Sequence, residues 1–265
     1  MDSDDPAAFR ALADLHARGA IDHIQVLIVP EPEPLFRERL EMMADTGAEI
    51  VVHAPHHGQG VNPCAPAAFG ALAPREAAAH IEHAMAQTAE AADVLQAETI
   101  VLHAGRYEEG GEEAAREEFA SFLDRYLDPR MILENLPAVY AGYPLLGNTA
   151  DDVTALAGGR VQGCCLDFAH LYCTANYLGS DYAAEVERFA ALDVRLHHLS
   201  NSPRGSTRDR HLPLDHPDGG LPFDIVIPLI AARPGVQTCL ELKGAAREYA
   251  RQVAVFADLC RRYGR

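Results

Sequence analysis

The chain has 265 residues, and 22 lysines and arginines against 39 aspartates and glutamates give a formal net charge of −17. The length suits a single domain over residues 1–265, and a hydrophobic content of 48% excludes a disordered chain. No apolar run reaches the roughly 18 residues of a membrane span. The start, MDSDDP, is acidic with no apolar stretch, so no secretory signal and a cytoplasmic location are expected.

Residues 6–19 read as a helix. Residues 23–29 (HIQVLIV) then open a series of short apolar runs. The series continues at 49–53 (EIVVH), 99–103 (TIVLH), 130–134 (RMILE), 163–167 (GCCLD), 194–198 (VRLHH) and 238–242 (TCLEL). Between them lie Ala- and Glu-rich stretches of helical spacing, at 35–46, 74–96, 112–126 and 181–192, with 248–263 closing the chain. Runs this short, apolar and rich in β-branched residues or Leu suit strands buried on both faces of a parallel sheet. The βαβα order predicts an α/β fold of the TIM (β/α) barrel type, with seven recognisable strands. No Gly-rich phosphate loop follows the first run, which disfavours a dinucleotide-binding open sheet. Residues 137–148 and 200–223 are long irregular stretches after strand ends, the side on which barrels keep their chemistry.

The six cysteines include no Cys-x-x-Cys pair and read as buried free thiols. The strand ends are more telling. They carry His53, His103, Glu134, Asp167, the pair His197-His198, and Glu241, with His170, Asp209 and His211 just beyond. One strand-end His or Glu is commonly a hydrogen-bonded loop residue. Nine candidates in one repeated position point to a divalent-metal centre, because imidazole nitrogen and carboxylate oxygen are the donors such ions take. His80 and His83 fall on a helix face and are expected to be solvated. His56 and His57 are expected to contact the ligands or the substrate.

The segments VVHAPHH at 51–57, VLHAG at 101–105, ILEN at 132–135, CLDFAH at 165–170, HLSNS at 198–202, DRH at 209–211 and LEL at 240–242 resemble the xylose isomerase-like TIM barrels. The resemblance is specifically to endonuclease IV, the family 2 apurinic/apyrimidinic endonucleases, and spans roughly residues 23–260. It implies up to three zinc ions. One would lie at His53, His103 and Glu134, and a second at Glu134, Asp167, His198 and Glu241. The third would lie at His170, Asp209 and His211. It further implies phosphodiester hydrolysis, with Glu134 and Glu241 catalytic and DNA with an abasic site as partner. Arg204, Arg208 and Arg210 are the candidate phosphate contacts.

The set Glu134, Asp167, His198 and Glu241 also resembles the single-metal site of sugar isomerases and epimerases in the same superfamily. That alternative implies Mn or Mg and a small sugar or sugar-phosphate substrate. It fits the acidic surface better, since acidity counts against a broad phosphate-binding groove. A non-catalytic metal-binding scaffold is a third alternative, disfavoured because every ligand type is retained. The family's first strand is missing ahead of His23. The sheet edge there should therefore be covered by the N-terminal helix or by another subunit in a homo-oligomer.

Overall fold

The computed structural model describes residues 1–69, 72–242 and 246–264. Two compact units divide the chain, Met1–Ile132 and Leu133–Arg265. The first begins with α1 (Pro6–Ala17), β1 (Ile24–Leu27), α2 (Glu33–Ala44) and β2 (Ile50–His53). A 3-10 turn (His57–Gln59), α3 (Pro74–Val94), β3 (Ile100–Leu102) and α4 (Glu112–Tyr126) follow. β4 (Met131–Glu134) starts in the first unit and ends in the second. The second continues with the short hairpin β5 (Val139–Tyr140) and β6 (Tyr143–Pro144), then α5 (Ala150–Ala157), β7 (Cys164–Asp167), α6 (Phe168–Leu178) and α7 (Tyr182–Ala190). It ends with β8 (Val194–Leu199), α8 (Phe223–Ala231), β9 (Gln237–Leu240) and α9 (Ala246–Tyr263). The seven-stranded sheet keeps chain order, β1-β2-β3-β4-β7-β8-β9.

Strand burial follows from composition. In the first unit Val26, Val52, Ile100 and Leu102 are fully buried on the strands, and Phe9, Phe36, Phe119 and Leu123 are buried on the helices. In the second, Leu166, Leu196 and Leu199 on the strands and Phe168, Phe189, Val226 and Ile227 on the helices are buried likewise. Each such side chain contributes about 1.5–3 kcal/mol through burial. Registers set the strand ends level: Leu27 lies beside His53, and His53 beside Val101. In the second unit Glu134 lies beside Cys165, and Asp167 beside His198.

The outer edge of β1 is met by the first three residues of the chain rather than by α1. Asp2 forms a parallel bridge with Leu27. Leu27 N–H donates to Met1 O at 2.8 Å, and Ser3 N–H to Leu27 O at 2.8 Å. The buried Ser3 Oγ accepts from Val29 N–H at 2.8 Å. Three residues therefore satisfy backbone groups that an open edge would expose.

His80 and His83 correct their expected solvation. Both are half-buried on α3. His80 Nε2 lies 2.8 Å from Gln59 O, and His83 Nε2 lies 3.0 Å from Glu31 O. They tie the helix to the loops after β2 and β1. All six cysteines are free; Cys64, Cys164, Cys165 and Cys173 are buried, and Cys239 and Cys260 half-buried. Among the described residues no helix is long and apolar enough to cross a membrane.

Candidate metal centre

The second unit gathers seven of the expected ligands. Side chains alternate along a strand, so only every second residue of β7 and β8 faces the cluster. That parity selects His198 over its neighbour. The His198 Nδ1 lies 3.2 Å from Glu134 Oε1, 3.4 Å from Glu241 Oε1 and 4.0 Å from Asp167 Oδ2. His197 points the other way, packing on Phe168 at 5.4 Å with its Nδ1 3.4 Å from Thr238 Oγ1. Four donor atoms, from Glu134, Asp167, His198 and Glu241, lie within 4.8 Å of one another. Neighbouring ligands on a tetrahedral zinc with bonds of about 2.0 Å sit roughly 3.3 Å apart, which is the His198–Glu134 and His198–Glu241 spacing.

In a second triad, His170, Asp209 and His211, the donor atoms likewise lie within 4.8 Å of one another. His170 comes from the first turn of α6, where Asp167 is the N-cap. Its Oδ1 accepts the His170 N–H at 2.6 Å, while Oδ2 faces the cluster. His170 Nδ1 lies 3.0 Å from Asn135 O, the geometry of an Nδ1–H donor, which leaves Nε2 to face Asp209 Oδ2 at 3.8 Å. His211 Nε2 lies 2.9 Å from Asp209 Oδ2.

Asp209 and His211 sit on the long loop after β8, which Asn201 shapes. Its amide donates to Leu214 O at 2.8 Å, and its Oδ1 accepts from Ser202 and Leu221 N–H, each at 3.0 Å. The buried Gln252 of α9 accepts from Leu214 N–H at 2.7 Å. His211 takes the left-handed backbone, φ +46, rare for a non-glycine residue and expected where a loop is held for a purpose.

Buried carboxylates and imidazoles shift each other. Burial alone would depress His198, but Glu241 and Glu134 raise it to about 9. His170 likewise rises well above its ordinary value, because Asp167, Glu134 and Asp209 outweigh its burial. Burial lifts Asp167 to about 7 against the pull of His170, with Glu134 and Glu241 adding to the rise. Burial also lifts Asp209, yet the hydrogen bond and charge of His211 hold it at about 2. Asp167 Oδ2 is buried with no hydrogen-bond partner among the described residues. A buried acceptor left in that condition is costly, and a cation would satisfy it.

The first unit gathers histidines. His53 and His103 meet edge to face at 4.8 Å, and His56 stacks on His103 at 5.0 Å and 15°. His53 Nδ1 lies 2.7 Å from Ala54 O, the geometry of an Nδ1–H donor. His56 Nδ1 accepts from Gly58 N–H at 3.0 Å and caps the 3-10 turn. Burial, together with the charges of His103 and Arg106, lowers His57 to about 4.

Three residues, Asn135, Asn62 and Arg106, escaped the sequence reading. The Asn135 side chain accepts from Asp167 N–H at 2.7 Å and donates to Asp167 O at 3.0 Å, so it fixes the backbone that presents Asp167. Asn62 does the same for Arg106, accepting from its N–H and donating to its O, each at 2.9 Å. Arg106 lies over the Phe69 ring at 4.7 Å. The available signals were position alone: Asn135 directly follows Glu134, and Arg106 follows His103 by three residues. Arg204, Arg208 and Arg210 are exposed on the loop, whereas the Asp209 side chain between them is 3% exposed.

Parallel strands in chain order, helices between them and donor clusters at strand ends define an α/β barrel with a candidate metal centre. The chain belongs to the xylose isomerase-like TIM barrel family, whose model matches residues 12–259. No curated protein matches it. Among solved structures it resembles endonuclease IV from Thermus thermophilus, at 19% identity and TM-score 0.67 over 99% of this chain and 97% of the other. It also resembles D-psicose 3-epimerase from Clostridium cellulolyticum, at 12% and 0.60 over 99% and 95%. A third is another Thermus thermophilus protein, soaked with ZnCl2, at 18% and 0.62 over 99% and 96%. At these identities the likeness carries the fold, and an endonuclease and an epimerase share it.

Proposed function

We propose that the protein is a divalent-metal-dependent phosphodiester hydrolase of the endonuclease IV type, with abasic sites in DNA as the first substrate to test. The observation behind this reading is the second triad, His170, Asp209 and His211, in the same unit as the Glu134, Asp167, His198 and Glu241 set. Asp209 and His211 lie in a segment that the isomerase branch shares, but a single-ion isomerase has no clear task for His170, nor for His53 and His103. In this reading each set holds one ion, zinc by preference for its nitrogen and oxygen donors, and His53 and His103 of the first unit offer nitrogen donors to a further ion. Bound ions would supply Lewis acidity at phosphoryl oxygens and acidify water near neutral pH.

The chain's own residues do the rest. Glu134 and Glu241 orient the reacting groups, and either carboxylate accepts the proton of the attacking water. His56 and the neutral His57 contact the substrate, and Arg204, Arg208 and Arg210 contact its phosphates. The test is elemental analysis together with incubation on abasic-site duplex DNA at low and moderate salt. Several ions per chain with strand nicking support the reading. One ion per chain without nicking overturns it.

One observation favours a sugar isomerase or epimerase as the second reading: Glu134 and Glu241 both reach His198 Nδ1, at 3.2 and 3.4 Å. Two carboxylates flanking one centre can remove and return a proton on a sugar carbon. Single-ion stoichiometry with Mn or Mg, and turnover of a small ketose, would select it.

A further inference from the structure

The second unit holds a further grouping whose cysteine neither reading uses. Donor atoms of Glu134, Cys165 and His198 lie within 4.8 Å of one another, and all three residues are fully buried. The register explains why. Glu134 and Cys165 are neighbours across the β4–β7 pair, and Cys165 shares a strand face with Asp167, two residues on. The thiol therefore lies one residue layer below Asp167 on the same side of β7. Its neighbour Cys164 has the opposite parity. Cys173, also buried, lies 3.3 Å from Ser202 Oγ and has a hydrogen-bonding role without a metal. A second observation marks the same place as wanting a cation: the buried Asp167 Oδ2 has no hydrogen-bond partner among the described residues.

We propose that Cys165 is a metal ligand, adding a sulfur donor to the ion held by Glu134 and His198 and making that position selective for thiophilic ions over magnesium and manganese. This rests on the metal-centre reading above. On ligation the thiol proton leaves to solvent and a sulfur–metal bond forms, with no change in oxidation state. Thiolate is a soft donor, so zinc, cadmium and cobalt gain from it where hard ions do not. An imidazole–carboxylate set alone would take manganese readily.

The full-length chain, stripped of metal and reloaded with Co(II), tests the assignment by absorption rather than activity. A near-ultraviolet thiolate-to-cobalt charge-transfer band is expected. It should vanish in Cys165→Ser and persist in Cys173→Ser and Cys239→Ser. Cadmium affinity should fall in Cys165→Ser by at least the roughly 10–100-fold that loss of a supporting ligand partner costs, with manganese affinity unchanged. If the serine variant does not fold, Cys165→Ala and the wild-type band itself carry the test. Cobalt that binds without a thiolate band overturns the role of Cys165 and leaves the imidazole–carboxylate centre standing. Failure to bind cobalt at all removes both.

Discussion

The two units place imidazoles at strand ends and on the segments that follow them, in opposite electrostatic company. In the first, His53, His56, His57 and His103 neighbour one another, and Arg106 helps burial hold His57 down to about 4. In the second, carboxylates surround His170, His198 and His211, and His198 rises to about 9. The strand end decides where a side chain stands, and its neighbours decide whether it carries a proton. A cation approaching His57 meets a neutral ring; one approaching His198 must first displace a proton.

The sharpest way to break this contrast is Glu134→Gln, which keeps the shape of the side chain and removes its charge. Turnover should fall by at least about 100–1000-fold, with circular dichroism unchanged. Wild-type activity in that variant would mean that the carboxylates of the second unit are only structural. Next is Asn135→Ala, which withdraws both hydrogen bonds to the Asp167 backbone. Metal affinity should fall about 10–100-fold and unfolding free energy by about 1–3 kcal/mol, read by calorimetry and urea denaturation.

The first unit has its own counterpart in Gly105→Ala. Gly105 has φ +107, and a Cβ there would stand 2.4 Å from Asn62 Oδ1. About 1–3 kcal/mol should be lost in urea denaturation, and a neutral result would show that the Asn62 clamp yields.

The smallest expected effect is in pH dependence. His198 has its folded value raised above 6.5. Its contribution to the metal-free protein is therefore complete below pH 6.5 and lost as pH rises through about 9. His57 has its value lowered, so its contribution is complete above pH 6.5 and lost as pH falls through about 4. His57→Gln should flatten the acid limb of metal-free stability. Zinc titrations at pH 7, in buffers of different ionisation heat, should show proton release that shrinks toward pH 10 in wild type. Release that does not vary with pH would contradict the His198 assignment.

Much of the fold was legible, because strands buried on both faces are uniformly apolar and their ends are marked by polar residues. Helices at 74–96 and 112–126 match α3 and α4 to within two residues. α6 was not read as a helix because FAHLYCTANYL follows β7 without a break and seven of its residues are buried, leaving little amphipathic contrast. α8 was hidden by its internal Pro228, and the β5–β6 hairpin by strands of two residues each. The bridge at Asp2 is too short to leave a pattern. In the site, ligand types at strand ends were visible, and strand parity separates His198 from His197. The framing roles of Asn135, Asn62 and Asn201 were not visible, since each acts on the backbone of a residue far away in sequence.

Asp167 divides its two carboxylate oxygens, one to the first turn of α6 and one to the cluster. An exchange to any residue without a short side-chain acceptor would therefore disturb the first turn of α6 along with the cluster, whereas asparagine would keep the cap and remove the charge. His211 and Glu241, on a loop and just past a strand, carry no such helix cap, so the cluster can vary there without loosening a helix end.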